Sequence, residues 1–283
     1  GGVRIKDGYS VLIFPEGTRR NAGDGIGKFS NSGSVLAINE GVPVVPICHN
    51  SGMYWKNRSL KKVAGKIAIV IGATGLTGKF LTRFLLASDT YEKVVVFTRR
   101  AFPQSHPKLV NHVVDFDCIA EWSHLIQGDD LFSAMGTTIK QAGSRAAFYQ
   151  VDYTYQANVI EAAAVNGVAR LFLVSSPSAS AKSPIFYNRV KGQLDQFAQQ
   201  QSFATLVLFK PSIIFGEREH HRTAEAVGKK VLQAATRWIP GAKRFRPISG
   251  KTLAQAIVAC AELSMVNSVY SYELDEIFAL LDL

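Results

Sequence analysis

The chain has 283 residues, 47% of them hydrophobic and 19% charged, with a formal net charge of +10. That size and composition predict one or two folded domains and exclude a disordered chain. No run approaches the ~18 consecutive apolar residues of a membrane-spanning helix, and no basic-then-apolar leader opens the sequence, so a cytoplasmic protein without a transmembrane segment is the expectation.

Cys48, Cys118 and Cys260 are scattered without disulfide or metal spacing, which predicts reduced thiols and no metal site. A positive charge suits nucleic acid, an anionic membrane surface or phosphate-bearing ligands. With no basic helix, aromatic-interleaved patch or zinc spacing, nucleic acid is set aside.

Val11–Phe14 reads as a short buried strand that ends in Pro15-Glu16-Gly17-Thr18-Arg19-Arg20. Phe29–Glu40 reads as a helix, and Gly41–Pro46 as a turn and strand. The first loop gathers a carboxylate, a hydroxyl and a guanidinium. Arg19 there can fork onto a phosphate, with Glu16 binding polyol hydroxyls or holding the arginine. Spacing alone better fits an ordinary surface salt bridge in a turn. Phe14–Arg19, Gly41–Pro46, His49-Asn-Ser-Gly52 and Trp55 together resemble the lysophosphatidic acid (glycerol-3-phosphate) acyltransferases over about residues 4–71.

The resemblance implies a glycerol-phosphate site at Glu16, Gly17, Thr18 and Arg19, a link to phospholipid synthesis, and peripheral membrane contact. That family's catalytic His-x4-Asp block lies upstream, but the thirteen residues before Phe14 hold no His. His112/Asp117 and His124/Asp129 have the spacing in the wrong order. The expectation is a truncated α/β acyltransferase fragment over residues 1–63, inactive for want of its general base and only marginally stable alone.

A second domain is expected over residues 64–283. Ile67–Ile71 is a continuous apolar run, as a buried parallel strand requires. It gives way at Gly72-Ala-Thr-Gly-Leu-Thr-Gly78 to a helical pattern through Leu76, Phe80, Leu81, Phe84 and Leu85. Gly72, Gly75 and Gly78 suit a tight turn, a close approach of backbone to pyrophosphate, and helix-on-strand packing, with Thr74, Leu76 and Thr77 in the same cradle. N–H groups at the helix start would face the phosphates.

Lys93–Thr98 is a second strand ending in Arg99-Arg100. An acidic residue at that point binds the ribose 2′-hydroxyl of NAD, whereas an arginine meets the 2′-phosphate of NADP, so NADP is favoured over NAD. Leu109–Val114 is a third strand, closing with Asp115-Phe-Asp117; Asp117 can meet the adenine amine or cap the next helix. Asp130–Ala134 is a fourth, followed by Met135-Gly136-Thr-Thr138, where Gly136 lies over the cofactor crevice. A helix over Phe148–Asn166 and a fifth strand over Ala169–Val174, ending in Ser175-Ser176, complete an alternation that predicts a doubly wound parallel sheet.

Tyr187 and Lys191, four residues apart, face the same way on a helix. The ammonium can lower the phenol's pKa, so that Tyr187 exchanges a proton with a carbonyl or alcohol oxygen that Ser175 also contacts. Residues 217–247 are expected to cap the substrate side, with His220 and His221 as solvated loop residues. Leu253–Leu263 reads as a helix and Val269–Ile277 as a last strand.

These features, with Phe209-Lys-Pro-Ser-Ile-Ile-Phe-Gly216-Glu-Arg218 and Arg246-Pro247-Ile248, resemble the short-chain dehydrogenase/reductase superfamily over about residues 66–283. The likeness is to its atypical NAD(P)-binding branch of the Tat-interacting-protein oxidoreductase type. The resemblance implies a Rossmann fold with Ser175, Tyr187 and Lys191 as catalytic residues and Lys191 touching the nicotinamide ribose. Lys210 stands where that branch more often has Arg. The expected function is an NADP-dependent oxidoreductase of a small carbonyl or alcohol substrate. A non-catalytic NADP-binding sensor, acyltransferase activity and a homodimer stay open alternatives.

Overall fold

The computed structural model describes residues 65–216, 242–265 and 268–282. The chain divides at Gly65/Lys66, and the elements of the fold belong to the unit Lys66–Leu283. The acyltransferase-type residues Glu16, Gly17, Thr18 and Arg19 lie outside the described residues. So do most of the expected cap, His220 and His221.

In chain order the elements are β1 (Lys66–Ile71), α1 (Gly78–Ala87), β2 (Tyr91–Thr98), β3 (Leu109–Val113), β4 (Asp130–Ser133), α2 (Tyr155–Val165), β5 (Arg170–Val174), α3 (Phe186–Gln199), β6 (Thr205–Lys210), β7 (Ile214–Phe215), β8 (Ile248–Ser249), α4 (Gly250–Glu262) and β9 (Val269–Glu273). Among the described residues seven strands form one sheet in the order β3-β2-β1-β4-β5-β6-β9. Every pairing in it is parallel. The chain leaves β1 toward β2 on one side and returns to β4 on the other. The carboxyl ends of β1 and β4 therefore border the crevice where an open α/β sheet binds its ligands.

Alternation along the strands explains why their sequences are apolar throughout. Ala68, Val70, Phe132, Phe172, Val207 and Phe209 pack on one face, with Leu81 and Leu85 of α1 and Leu253 and Ile257 of α4. Ile69, Ile71, Leu131, Leu171 and Leu173 pack on the other, with Val159 and Ile160 of α2 and Leu194 and Ala198 of α3. With helices on both faces, the central strands β1, β4, β5 and β6 are largely apolar on both sides.

Three expectations need adjusting. β6 is a full strand over Thr205–Lys210, where the sequence marks only the motif that starts at Phe209. The last strand stops at Glu273, because Leu274 turns to φ 52° and a helical turn, Glu276–Ala279, follows. The helix expected from Phe148 begins at Arg145 and is not uniform: Arg145–Tyr149 passes through a π-turn, Gln150–Thr154, before α2. The two His-x4-Asp spacings serve other ends, since His112 stacks on Phe97 and Asp129 accepts the Ile67 N–H.

At the amino ends of the strands a buried charge cluster ties the sheet together. Arg170 donates to both oxygens of Asp130, through Nε at 2.6 Å, and to the carbonyl of Ala261 at 2.9 Å. Tyr91 Oη donates to Asp130 Oδ2 at 2.6 Å. Burial, then the charge of Asp130, push the Tyr91 phenol far up, so it remains a donor. Asp130 is 1% exposed, and the other cation near it, Lys66, is 37% exposed at 3.7 Å. Arg170→Leu leaves that carboxylate underpaired and is expected to cost about 3–5 kcal/mol, read from urea unfolding; a loss under 1 kcal/mol would show that Tyr91 and Lys66 suffice.

Candidate functional site

The turn after β1 is closed by a backbone contact. Gly72 has φ +77°, and a Cβ on it would stand 2.5 Å from the carbonyl carbon of Ala134, so the turn runs hard against the end of β4. The Gly72 carbonyl accepts the Gly75 N–H at 2.9 Å. A Cβ on Gly78 would stand 1.9 Å from that same oxygen, which leaves hydrogen as the one substituent that fits.

The helix thereby begins directly over the strand end. Lys79 N–H donates to Gly75 and Leu81 N–H to Thr77. The N–H groups of Leu76, Thr77 and Gly78 have no acceptor among the described residues. No acidic side chain occupies the first turn of α1, and Thr77 makes no side-chain cap. The result is a cradle of free donors at the positive end of a ten-residue helix. Thr74 stands exposed at its tip. Leu76 is seated from behind against Gly216 and Gly250, at the β7–β8 pair and the start of α4.

β2 lies beside β1, so the loop after it flanks this cradle. Arg99 and Arg100 are exposed there, and neither has an ion-pair partner among the described residues. Thr98 Oγ1 donates to the Arg100 carbonyl at 2.7 Å and is itself held by Asn111 Nδ2 at 2.7 Å. Asp115 caps the turn after β3 through the Asp117 N–H. Asp117 Oδ1 accepts from Tyr155 Oη at 2.8 Å and Gln150 Nε2 at 3.1 Å. One oxygen of Asp117 is thus spent on bracing the π-turn and α2.

On the far side of the crevice Lys191 is buried in α3, with its ammonium 2.9 Å from Asp152 Oδ1; the two side chains are 5% and 1% exposed. Burial works against the Lys191 charge, but the Asp152 carboxylate leads the groups that outweigh it and raise its pKa. Asp152 Oδ2 accepts the Thr137 N–H at 2.8 Å. A Cβ on Gly136 would stand 3.4 Å from Asp152 and 3.8 Å from Lys191, so the Gly136–Thr138 turn lies against the ion pair.

Asp152 sits in the π-turn, whose geometry has its own support. Gln156 Nε2 donates to the Asp152 carbonyl at 3.0 Å, and Ser133 Oγ at the end of β4 donates to Gln156 Oε1 at 2.7 Å. Tyr187 lies one helical turn before Lys191, half-buried, with its ring 5.7 Å from that of Phe148.

Ser175 extends the β5–β6 ladder by one bond, its N–H donating to Phe209 at 2.7 Å, and its side chain is buried. The loop after it crosses α3 at Gly192, where a Cβ would stand 2.1 Å from the backbone of Ser180. Ser180 N–H donates to the Asn188 carbonyl at 3.0 Å. That crossing holds the end of β5 against the helix of Tyr187 and Lys191. The structure therefore gathers Ser175, Tyr187 and Lys191 around α3, and it adds Asp152 and Gly192, which no sequence motif marked. An aspartate amid the aromatic residues Phe148, Tyr149, Tyr153 and Tyr155 was the available signal for the first; a glycine inside a helix, next to the lysine, was the signal for the second.

The comparisons with known proteins agree with this geometry. Residues 68–238 match the profile of the NAD dependent epimerase/dehydratase family. The chain belongs to that family. Among curated relatives of this epimerase/dehydratase chain, Protein HTATIP2 of Rattus norvegicus is 30% identical over 173 residues, covering 60% of this chain and 71% of the relative. Protein FMP52, mitochondrial, of Eremothecium gossypii is 30% identical over 224 residues, covering 75% and 96%.

Among solved structures, the Bordetella bronchiseptica enzyme WbmH in complex with NAD+ superposes with TM-score 0.56 at 17% identity, covering 74% of this chain and 75% of that one. MoeE5 in complex with UDP-glucuronic acid and NAD gives 0.55 at 15%, covering 74% and 76%. At such identities the structural likeness speaks for the fold. Among the described residues no helix is long and apolar enough to cross a membrane. The expected cytoplasmic location finds no support in relatives named mitochondrial.

Because the Lys191 pKa is raised on folding, the ion pair's contribution is fully present below the ordinary lysine value, about 10.4, and is lost as pH rises through the raised one. Asp152→Ala, which strands the ammonium, is expected to destabilise by about 3–5 kcal/mol at neutral pH. The double change Asp152→Ala/Lys191→Met should recover most of that loss. Urea unfolding of the three proteins checks this, and additive losses would show that the two side chains do not act as a pair.

Proposed function

We propose that this protein is an NADP-dependent oxidoreductase of the short-chain type, acting on a small carbonyl or alcohol substrate. One observation supports the reading most: a buried, aspartate-held ammonium one helical turn after a half-buried tyrosine, lying against the turn after β4. The residues present fit a dinucleotide. The N–H groups of Leu76, Thr77 and Gly78, without an acceptor among the described residues, would hold its pyrophosphate, and the exposed Arg99 and Arg100 a 2′-phosphate. The nicotinamide, when bound, supplies hydride exchange with the substrate carbon.

The chain's own residues supply the rest. Tyr187 carries the proton that the substrate oxygen gains on reduction or gives up on oxidation. Lys191, kept in place by Asp152, stands one helical turn after Tyr187 on the same helix. Ser175 holds the same oxygen from the end of β5. Asp152 also fixes the Thr137 N–H, which keeps the Gly136–Thr138 turn along the edge of the reacting face. The UDP-sugars bound by MoeE5 suggest a polar, hydroxyl-bearing substrate class for this chain too.

Fluorescence titration of NADPH and NADH into wild type and an Arg99→Ala/Arg100→Ala double variant tests the proposal. Wild type should favour NADPH. Since a hydrogen bond to a charged group contributes about 1.5–3 kcal/mol, the double change should weaken NADPH by roughly one to two orders of magnitude and leave NADH unchanged. Equal affinities in both proteins would overturn the NADP preference, and no binding of either would overturn the function.

A further inference from the structure

Beyond the residues placed around the substrate, α3 carries one more buried acid. Asp195 lies one helical turn after Lys191 and is 6% exposed, as is Ser175. Asp195 Oδ1 and Ser175 Oγ are buried polar atoms left without a hydrogen-bond partner. Thr82 Oγ1 and Asp152 Oδ1 are the other such atoms among the described residues, and Asp152 has the Lys191 ammonium beside it; Ser175 and Asp195 act on each other, which points to a contact that a proton completes.

Charge balance indicates where that proton sits. The groups facing Asp195 are Lys191 on its own helix, Lys210 on β6, Glu273 on β9 and Ser175 at the end of β5. Both cations already have partners: Lys191 Nζ is 2.9 Å from Asp152, and Lys210 Nζ is 3.0 Å from Glu273. Three carboxyls thus share two ammonium groups, and Asp195 is the one left over. Burial raises its pKa, more strongly than Ser175, Lys210 and Lys191 lower it.

We propose that Asp195 is a positioning residue that carries a proton in the working protein and donates it to Ser175 Oγ, so that the Ser175 hydroxyl proton is aimed at the substrate oxygen. The consequence follows from the inventory of a hydroxyl, which has one proton and two lone pairs. With Asp195 protonated, Ser175 accepts from it and donates to a carbonyl oxygen. With Asp195 ionised, Ser175 donates to the carboxylate and offers the substrate lone pairs alone. The protonation of Asp195 therefore sets whether Ser175 acts as donor or acceptor. The proposal rests on the reading of Ser175 as the residue that holds the substrate oxygen.

The test is a pH titration of the full chain carrying 13Cγ-labelled aspartate, followed by NMR, with Asp195→Asn assigning the resonance. The Asp195 midpoint should lie above the usual carboxylate range and move in Ser175→Ala and in Ser175→Cys, variants that leave the other neighbours of the carboxyl in place. A midpoint in the ordinary range, or one unmoved by both variants, overturns the proposal.

A second arm follows NADPH-linked reduction of phenanthrenequinone. In wild type kcat should fall along Asp195's own titration as pH rises. That limb should be absent in Asp195→Asn, whose amide donates to Ser175 at every pH. Persistence of the same limb in Asp195→Asn overturns the proposal. The two readings fail separately: coupling by NMR without any reduction would sink the oxidoreductase and leave the Asp195–Ser175 contact standing, whereas reduction without coupling would do the reverse.

Discussion

The carbonyl oxygen of Gly72 and the bare Cα of Gly78 meet at a distance no side chain could share. That approach fixes the start of α1 over the carboxyl end of β1, and much of the molecule is arranged to keep it. Gly72 is pressed from the other side by the backbone after β4, so the turn can neither open nor sink. Leu76 is backed by Gly216 and Gly250, which recruits β7, β8 and the head of α4 as a buttress. What remains exposed is the useful part: backbone donors at the helix start, with no acid nearby to compete for them.

Across the crevice electrostatics dominates. A lysine as buried as Lys191 keeps its charge because a carboxylate lies 2.9 Å away, and that carboxylate is available because the helix before α2 makes a π-turn at Asp152. The wider turn presents Asp152 inward, and its carbonyl is met by Gln156, which is anchored in turn to Ser133 on β4. π-turns of this kind cluster at functional sites for this reason: they re-aim one side chain at the cost of local regularity. One strand end, Ser133, thereby sets the orientation of a charge pair that lies against the turn after the same strand.

How much of this was legible in the sequence depends on which force shaped each element. Strands buried on both faces advertise themselves as unbroken apolar runs, so β1, β2, β4 and β5 could be read within a residue or two. β9 could not be bounded, because the apolar Leu274 and Ile277 lie beyond the point where the backbone leaves the strand. The Tyr187–Lys191 pair was visible because helical spacing carries it. Asp152 was not, since its partner lies on another helix and the π-turn shifts the period by which faces are counted. Gly192 was hidden for a related reason: its role is to let the loop after Ser175 pass, a contact no local pattern encodes.

The account stands on the turn 72–78 being a phosphate cradle and on the Gly136–Thr138 turn bordering the same ligand. Amide hydrogen exchange of the full chain, with and without NADPH, addresses both at once. Slowed exchange at residues 74–78 and 136–138 on adding the dinucleotide, with the Tyr91–Asp130–Arg170 end of the sheet unaffected, is the predicted result. NADPH that binds yet leaves the amides of residues 76–78 exchanging at their free rate would contradict the account.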